Sequence, residues 1–179
     1  MRLFIGIRIP NDIQASLQRN WEQSDHPSED MRVLEPESRH LTLAFLGEVS
    51  PDNRLALEIL ISKAMERPPK GSFSFVTFET FPPKAPIIIT AKLDISDAPS
   101  WPDFVDRLRD MVSVAAPSVD RKPWMAHVTV ARSRKAILPA WNESFDPIPW
   151  KPENVSLILS EPGSNGSRYT DLHVFPLDV

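Results

Sequence analysis

The chain has 179 residues, 41% hydrophobic and 25% charged, a balance that allows a sizeable core and excludes general disorder. Its net charge of −4 argues against a broad basic face for long nucleic-acid duplexes, yet leaves room for a short or terminal piece of RNA in a local cationic pocket. Cysteine is absent, which excludes disulfides, a thiolate nucleophile and a cysteine-based zinc site. The 19 prolines are scattered and imply many fixed turns. The apolar run at residues 3–7 is too short for a signal sequence, and no stretch approaches membrane-spanning length. A cytoplasmic monomer with no membrane partner is the expectation.

Residues 2–9 read as a buried strand, followed by a helix from about Asn11 with Ile13, Leu17 and Trp21 on one face. Residues 40–46 form a strand ending at Gly47. Ser50 can cap a helix that starts at Pro51, with Ala56, Ile59, Leu60 and Ala64 as its buried stripe, and Pro68-Pro69 stops it. Residues 73–78 and 86–93 read as strands joined by the turn-rich Phe81-Pro82-Pro83-Lys84. Ser100 and Asp103 have capping-box spacing ahead of a helix with Phe104, Val105, Leu108, Met111 and Val112 on its apolar face. A strand follows at about residues 126–132, and residues 155–159 and 169–175 form a hairpin around Gly163-Ser164-Asn165-Gly166.

Two segments nearly repeat each other. Arg39-His40-Leu41-Thr42-Leu43-Ala44-Phe45 and Ala126-His127-Val128-Thr129-Val130-Ala131-Arg132 both read His, apolar, Thr, apolar, Ala, and they hold two of only four histidines. In a strand, His and Thr two apart share one face while the apolar partners point into a core. The two histidines lie 87 residues apart, about half the chain, which suggests a duplication. The expected architecture is α+β: two similar lobes related by a pseudo-two-fold, each with an antiparallel sheet facing a central cleft and helices outside, all within one domain at 1–179.

If the motifs share a cleft, one neutral imidazole can take a proton from water while a protonated one gives a proton to a departing ribose oxygen. The threonine hydroxyls can donate to phosphate oxygens as charge builds there. This set covers attack, departure and charge, so no metal or cofactor is called for. A zinc reading fails on the His-x-Thr spacing, and a Ser-His-Asp triad has no nucleophile elbow to support it. His26 and His173 read as structural residues. Phe45 and Arg132, each five after its histidine, suggest two faces between which a terminal base could stack, although strict alternation turns both away from the histidines unless a bulge intervenes. Arg121, Lys122, Arg134 and Lys135 flank the second motif as a possible cationic rim, and Arg39 faces away by alternation.

The doubled motif resembles that of the two-histidine phosphoesterases. With Met1-Arg2-Leu3-Phe4-Ile5, Phe81-Pro82-Pro83, Ser167-Arg168-Tyr169 and Phe175-Pro176-Leu177, the chain is similar to the RNA 2′,3′-cyclic phosphodiesterases of bacteria and archaea, also called 2′-5′ RNA ligases. The resemblance implies a bilobal α+β fold and metal-independent opening of a 2′,3′-cyclic phosphate on an RNA 3′ end, leaving a 2′-phosphate, with 2′-5′ ligation as the reverse reaction. It also implies His127 as the base, His40 as the acid, and Thr42 and Thr129 as phosphate donors. The chain departs from the pattern at Ala126, where proline is usual, and around Val33-Leu34, where an aromatic is usual; both bear on substrate preference. Other cyclic or 2′-5′-linked nucleotides, or non-catalytic binding of RNA ends, are the competing readings.

Overall fold

The computed structural model describes residues 1–27, 31–137, 139–163 and 166–177. β1 (Arg2–Arg8) carries Leu3, Phe4, Ile5 and Ile7, all buried, as a strand flanked on both sides requires. α1 (Asn11–Gln23) turns Leu17 and Trp21 to the core at helical spacing. Next come β2 (Met31–Val33), β3 (His40–Glu48), α2 (Arg54–Met65), β4 (Phe73–Phe81), β5 (Ile88–Asp94) and α3 (Trp101–Val112). The remainder is all strand: β6 (His127–Ser133), β7 (Asn142–Trp150), β8 (Asn154–Gly163) and β9 (Gly166–Pro176). No helix of the described residues is long and apolar enough to cross a membrane.

The strands run antiparallel in the order β7-β4-β5-β6-β3-β1-β8-β9, with β2 added to β6. This large sheet has a waist. Among the described residues β3 and β6 share one paired position, Leu41 opposite Val128, whereas β1 and β3 pair along seven. The α+β architecture is therefore the expected one, with the two expected sheets stitched together at the residues that follow the two motif histidines. Leu41, Leu43, Val128 and Val130 are fully buried in one core with Leu17, Leu57, Ile61, Phe104 and Leu108 of the three helices. The motif histidines and threonines, alternating with those residues, fall on the opposite face.

The lobes are not the two halves of the chain. β1-α1-β3 and β5-α3-β6 are equivalent units, each a strand, a helix and an antiparallel return. The strands that follow cross over: β4 pairs with β5, and β8 pairs with β1. Each sheet draws on both halves, which corrects the expectation of one lobe per half.

Local expectations also shift. Ser50 accepts from the Asp52 amide, but Pro51–Asn53 is a 3-10 turn and α2 begins at Arg54. Its buried stripe is Leu57, Ile61 and Ala64, while Ala56 and Ile59 are exposed. Ser100 makes no capping bond; its hydroxyl instead accepts from the Lys70 amide and donates to the Lys70 carbonyl. β2 and β7 are strands that the sequence pattern did not announce. β7 contains Pro147 and Pro149 and, among the described residues, pairs only with β4, an edge position where missing amide donors are tolerated. Ser164 and Asn165 of the expected hairpin turn lie outside the described residues.

Candidate active site

The Leu41–Val128 pair fixes the site. In antiparallel register it sets His40 on the side of Thr129 and Thr42 on the side of His127. All four line one cleft of about 990 Å³. Gly6 of β1 stands opposite Thr42, and a Cβ there would meet the Leu41 carbonyl at 2.9 Å and the Phe4 ring at 3.1 Å. Glycine lets β1 lie against the motif strand at this point.

Both imidazoles are oriented in the same way. His40 Nδ1 donates to the Ser38 carbonyl at 2.8 Å, and His127 Nδ1 donates to the Met125 carbonyl at 2.9 Å. A carbonyl only accepts, so the proton sits on Nδ1 and Nε2 is left for chemistry in the cleft. The surroundings differ. His40 packs on Phe4 at 4.6 Å and edge-on to Tyr169 at 4.8 Å, whereas His127 has Phe81 at 6.0 Å. Burial pushes the His40 pKa down to about 4; the Ser38 carbonyl opposes this, while the positive charges of Arg8 and Arg132, and His127, push further down. Arg8 is the cross-strand neighbour of His40 and is tied to Asp171, the Glu37 carbonyl and the Tyr169 carbonyl.

Phe45 and Arg132 do reach the cleft, through bulges. Between Ile5/Ala44 and Gly6/Thr42 the first motif strand carries one extra residue, Leu43; between Ile89/Ala131 and Thr90/Thr129 the second carries Val130. Each bulge buries two consecutive residues, Leu43-Ala44 and Val130-Ala131, and turns the next side chain back to the histidine face. Phe45 is 40% exposed, with the Arg2 guanidinium 5.9 Å from its ring. The antiparallel run places Phe45 and Arg132 on opposite sides of the Leu41–Val128 crossing.

Of the suggested rim, Lys122 and Arg134 line the cleft, and Arg121 pairs with Asp110. His26 stacks on Trp21 at 3.9 Å and His173 faces Glu58 at 3.5 Å, both away from the cleft lining. Several lining residues lie outside the doubled motif and were not read as site residues: Arg2, Phe4, Arg109, Trp124 and Tyr169. Arg39 does point away and is 1% exposed, donating to the Leu34 carbonyl and to Gln18. Arg109 reaches the Leu43 and Lys122 carbonyls. The segments leading into β3 and into β6 are thus each tied down by a buried guanidinium.

Residues 7–88 match the LigT like Phosphoesterase family. The RNA 2′,3′-cyclic phosphodiesterase of Thermus thermophilus is 29% identical over 99% of this chain and 90% of its own length. The crystal structure of TT0787, from the same organism, superposes with a TM-score of 0.84 at 25% identity, covering 99% of this chain and 98% of that one. Escherichia coli LigT complexed with NADP+ has a TM-score of 0.70 at 26% identity, with 98% and 97% covered. The chain thus resembles the LigT-like phosphoesterases in sequence over residues 7–88 and shares the fold of these proteins along its length.

Proposed function

We propose that residues 1–179 act as one bilobal phosphodiesterase that opens 2′,3′-cyclic phosphates at RNA 3′ ends and leaves 2′-phosphomonoesters. The observation that carries this reading is the pair of equivalent His–Thr sets on one cleft, each imidazole held through Nδ1 with Nε2 to spare. Water attacks phosphorus as the P–O3′ bond breaks. One Nε2 takes the proton of the attacking water, and the other gives a proton to O3′. Thr42 and Thr129 donate to the non-bridging oxygens, where charge accumulates. No metal is required for these steps.

The family resemblance favours His127 as the base and His40 as the acid. Burial keeps His40 neutral at pH 7, so in this role it takes up its proton together with the diester anion, whose negative charge offsets Arg8 and Arg132. Phe45 and Arg132 contact the base of the terminal nucleotide, a role consistent with their places on the cleft. With an RNA 5′-hydroxyl in place of water, the same acid–base pair supports 2′-5′ ligation.

Phosphorus NMR of a short RNA ending in a 2′,3′-cyclic phosphate, incubated with protein and EDTA, tests the reading. A 2′-phosphomonoester should form, and His40→Ala and His127→Ala should each abolish it. A 3′-phosphate would overturn the choice of leaving oxygen. An intact cyclic phosphate, with RNA bound, would favour non-catalytic recognition of RNA ends.

A further inference from the structure

Each motif imidazole is aimed by a carbonyl two residues upstream, so each depends on how the segment leading into its strand is held. The two lead-ins are held differently. Ahead of His40, β2 pairs with β6 at Met31, Arg32 and Val33, and the Leu34 amide donates to the Val130 carbonyl at 2.8 Å. Ahead of His127, residues 116–126 contain no strand. This segment lies along β3 instead, where that strand runs on past the Leu41–Val128 pair.

Four carbonyls of β3 accept on this side. Leu46 accepts from the Ser118 hydroxyl at 3.0 Å, Phe45 from the Asp120 amide at 2.9 Å, Leu43 from Arg109 at 2.9 Å and Thr42 from the Trp124 indole at 2.9 Å. Arg109 also donates to the Lys122 carbonyl at 2.7 Å and so joins the segment to β3. One of these bonds comes from a backbone amide; the rest come from side chains. Trp124 is the nearest of the donors to His127. Its neighbour Met125 supplies the carbonyl that accepts from His127 Nδ1, and Thr42 belongs to the other His–Thr set. A single indole N–H thereby joins the peptide that carries one set's hydroxyl to the peptide that aims the other set's imidazole. Phenylalanine could form the same wall of the cleft but has no donor for this bond.

We propose that Trp124 is a positioning residue: its bond to the Thr42 carbonyl fixes the Met125 carbonyl and so keeps His127 in the Nδ1–H form, with Nε2 open in the cleft. The effect on turnover rests on the phosphodiesterase reading; the effect on the imidazole does not. An imidazole released from this carbonyl divides its proton between the two nitrogens. With the proton on Nε2, no lone pair faces the water to be activated, so the loss appears in kcat rather than in substrate binding.

Trp124→Phe keeps an aromatic wall and removes the N–H. Two-bond proton–nitrogen NMR of the substrate-free protein, at a pH where the imidazoles are neutral, reads the tautomer of each histidine. In the wild type His40 and His127 should both be Nδ1–H, and the Trp124 Nε1–H should exchange with solvent more slowly than an indole open to water. In the variant His127 should become a mixture with the Nε2–H form while His40 is unchanged, which also reports an intact fold. On the cyclic phosphate, kcat should fall by about three- to tenfold, the range for one neutral hydrogen bond, with KM within about twofold. An unchanged His127 tautomer would overturn the proposal, whether or not stability falls. A freely exchanging Trp124 N–H in the wild type would overturn it without the variant. A raised KM with kcat unchanged would also overturn it and make Trp124 a substrate contact. If the wild type opens no cyclic phosphate, the phosphodiesterase reading fails, while the NMR result still decides the positioning of His127.

Discussion

Lowering the pH from 7 to 4 should cost this protein stability through one side chain, His40. Its imidazole takes a proton near 6.5 in the unfolded chain but only near 4 in the folded one, where Phe4 and Tyr169 enclose it and Arg8 and Arg132 bring positive charge. Between those values the unfolded chain binds more protons, so stability rises with pH across the window. The contribution is fully present above about pH 6.5, is lost as pH falls, and levels off below about 4. At about 1.4 kcal/mol per pH unit, the depression amounts to at most about 3 kcal/mol. His40→Asn isolates it, because the amide nitrogen can still donate to the Ser38 carbonyl while carrying no titratable group. Urea denaturation of both proteins at pH 7, 5.5 and 4 provides the measurement. Carboxylate titrations act on both and cancel in the difference. The wild type should lose up to about 3 kcal/mol more than the variant between pH 7 and 4. Parallel stability–pH curves would refute the burial argument and remove the reason to couple His40 protonation to diester binding.

Thr42→Val keeps the shape of the side chain and removes its hydroxyl, so single-turnover cleavage of the cyclic phosphate should slow by about 10²-fold, and Thr129→Val should match it. An unchanged rate in either variant would remove that threonine from the charge-stabilising role. Gly6→Ala should destabilise the fold by about 1–3 kcal/mol, because the new Cβ would lie 2.9 Å from the Leu41 carbonyl and 3.1 Å from the Phe4 ring. A denaturation midpoint equal to wild type would show that β1 can move aside without cost.

The doubled His-x-Thr pattern made the central strands legible because alternation alone assigns one face to His and Thr and the other to the core. Alternation alone turns Phe45 and Arg132 away, so their place in the cleft could be expected only on condition of a bulge: nothing in Leu43-Ala44 or Val130-Ala131 announces one, and it appears only as a register shift against β1 and β5. Strand exchange was equally hidden, since pairing of β4 with β5 and β8 with β1 is decided by which apolar faces meet. β7 was lost because Pro147 and Pro149 are punctuation to a local reading, and only its place at the sheet edge makes them harmless. On α2 the apolar residues outnumber the buried ones, and sequence could not say that Leu57 and Ile61 face the core while Ile59 faces water. Phe4 and Tyr169 carry no pattern that links them to His40. Tyr169 is the chain's one tyrosine, and its ring meets that imidazole only because β9 follows β8 to its place beside β1.

The crossing of β8 onto β1 has a consequence for the order of folding. Leu3 pairs with Leu159 and Gly6 with Ser156, so during synthesis β1 waits for β8, far along the chain, before its outer edge is covered. Pairings between such distant parts of a chain are slow to close, and an uncovered apolar strand is prone to pair wrongly in the meantime. Throughout that interval His40 lacks Tyr169 and one lobe is a ragged pair of strands. A nascent chain therefore carries both copies of its motif well before it can work, and the emergence of β8 and β9 turns a repeat in the sequence into a cleft.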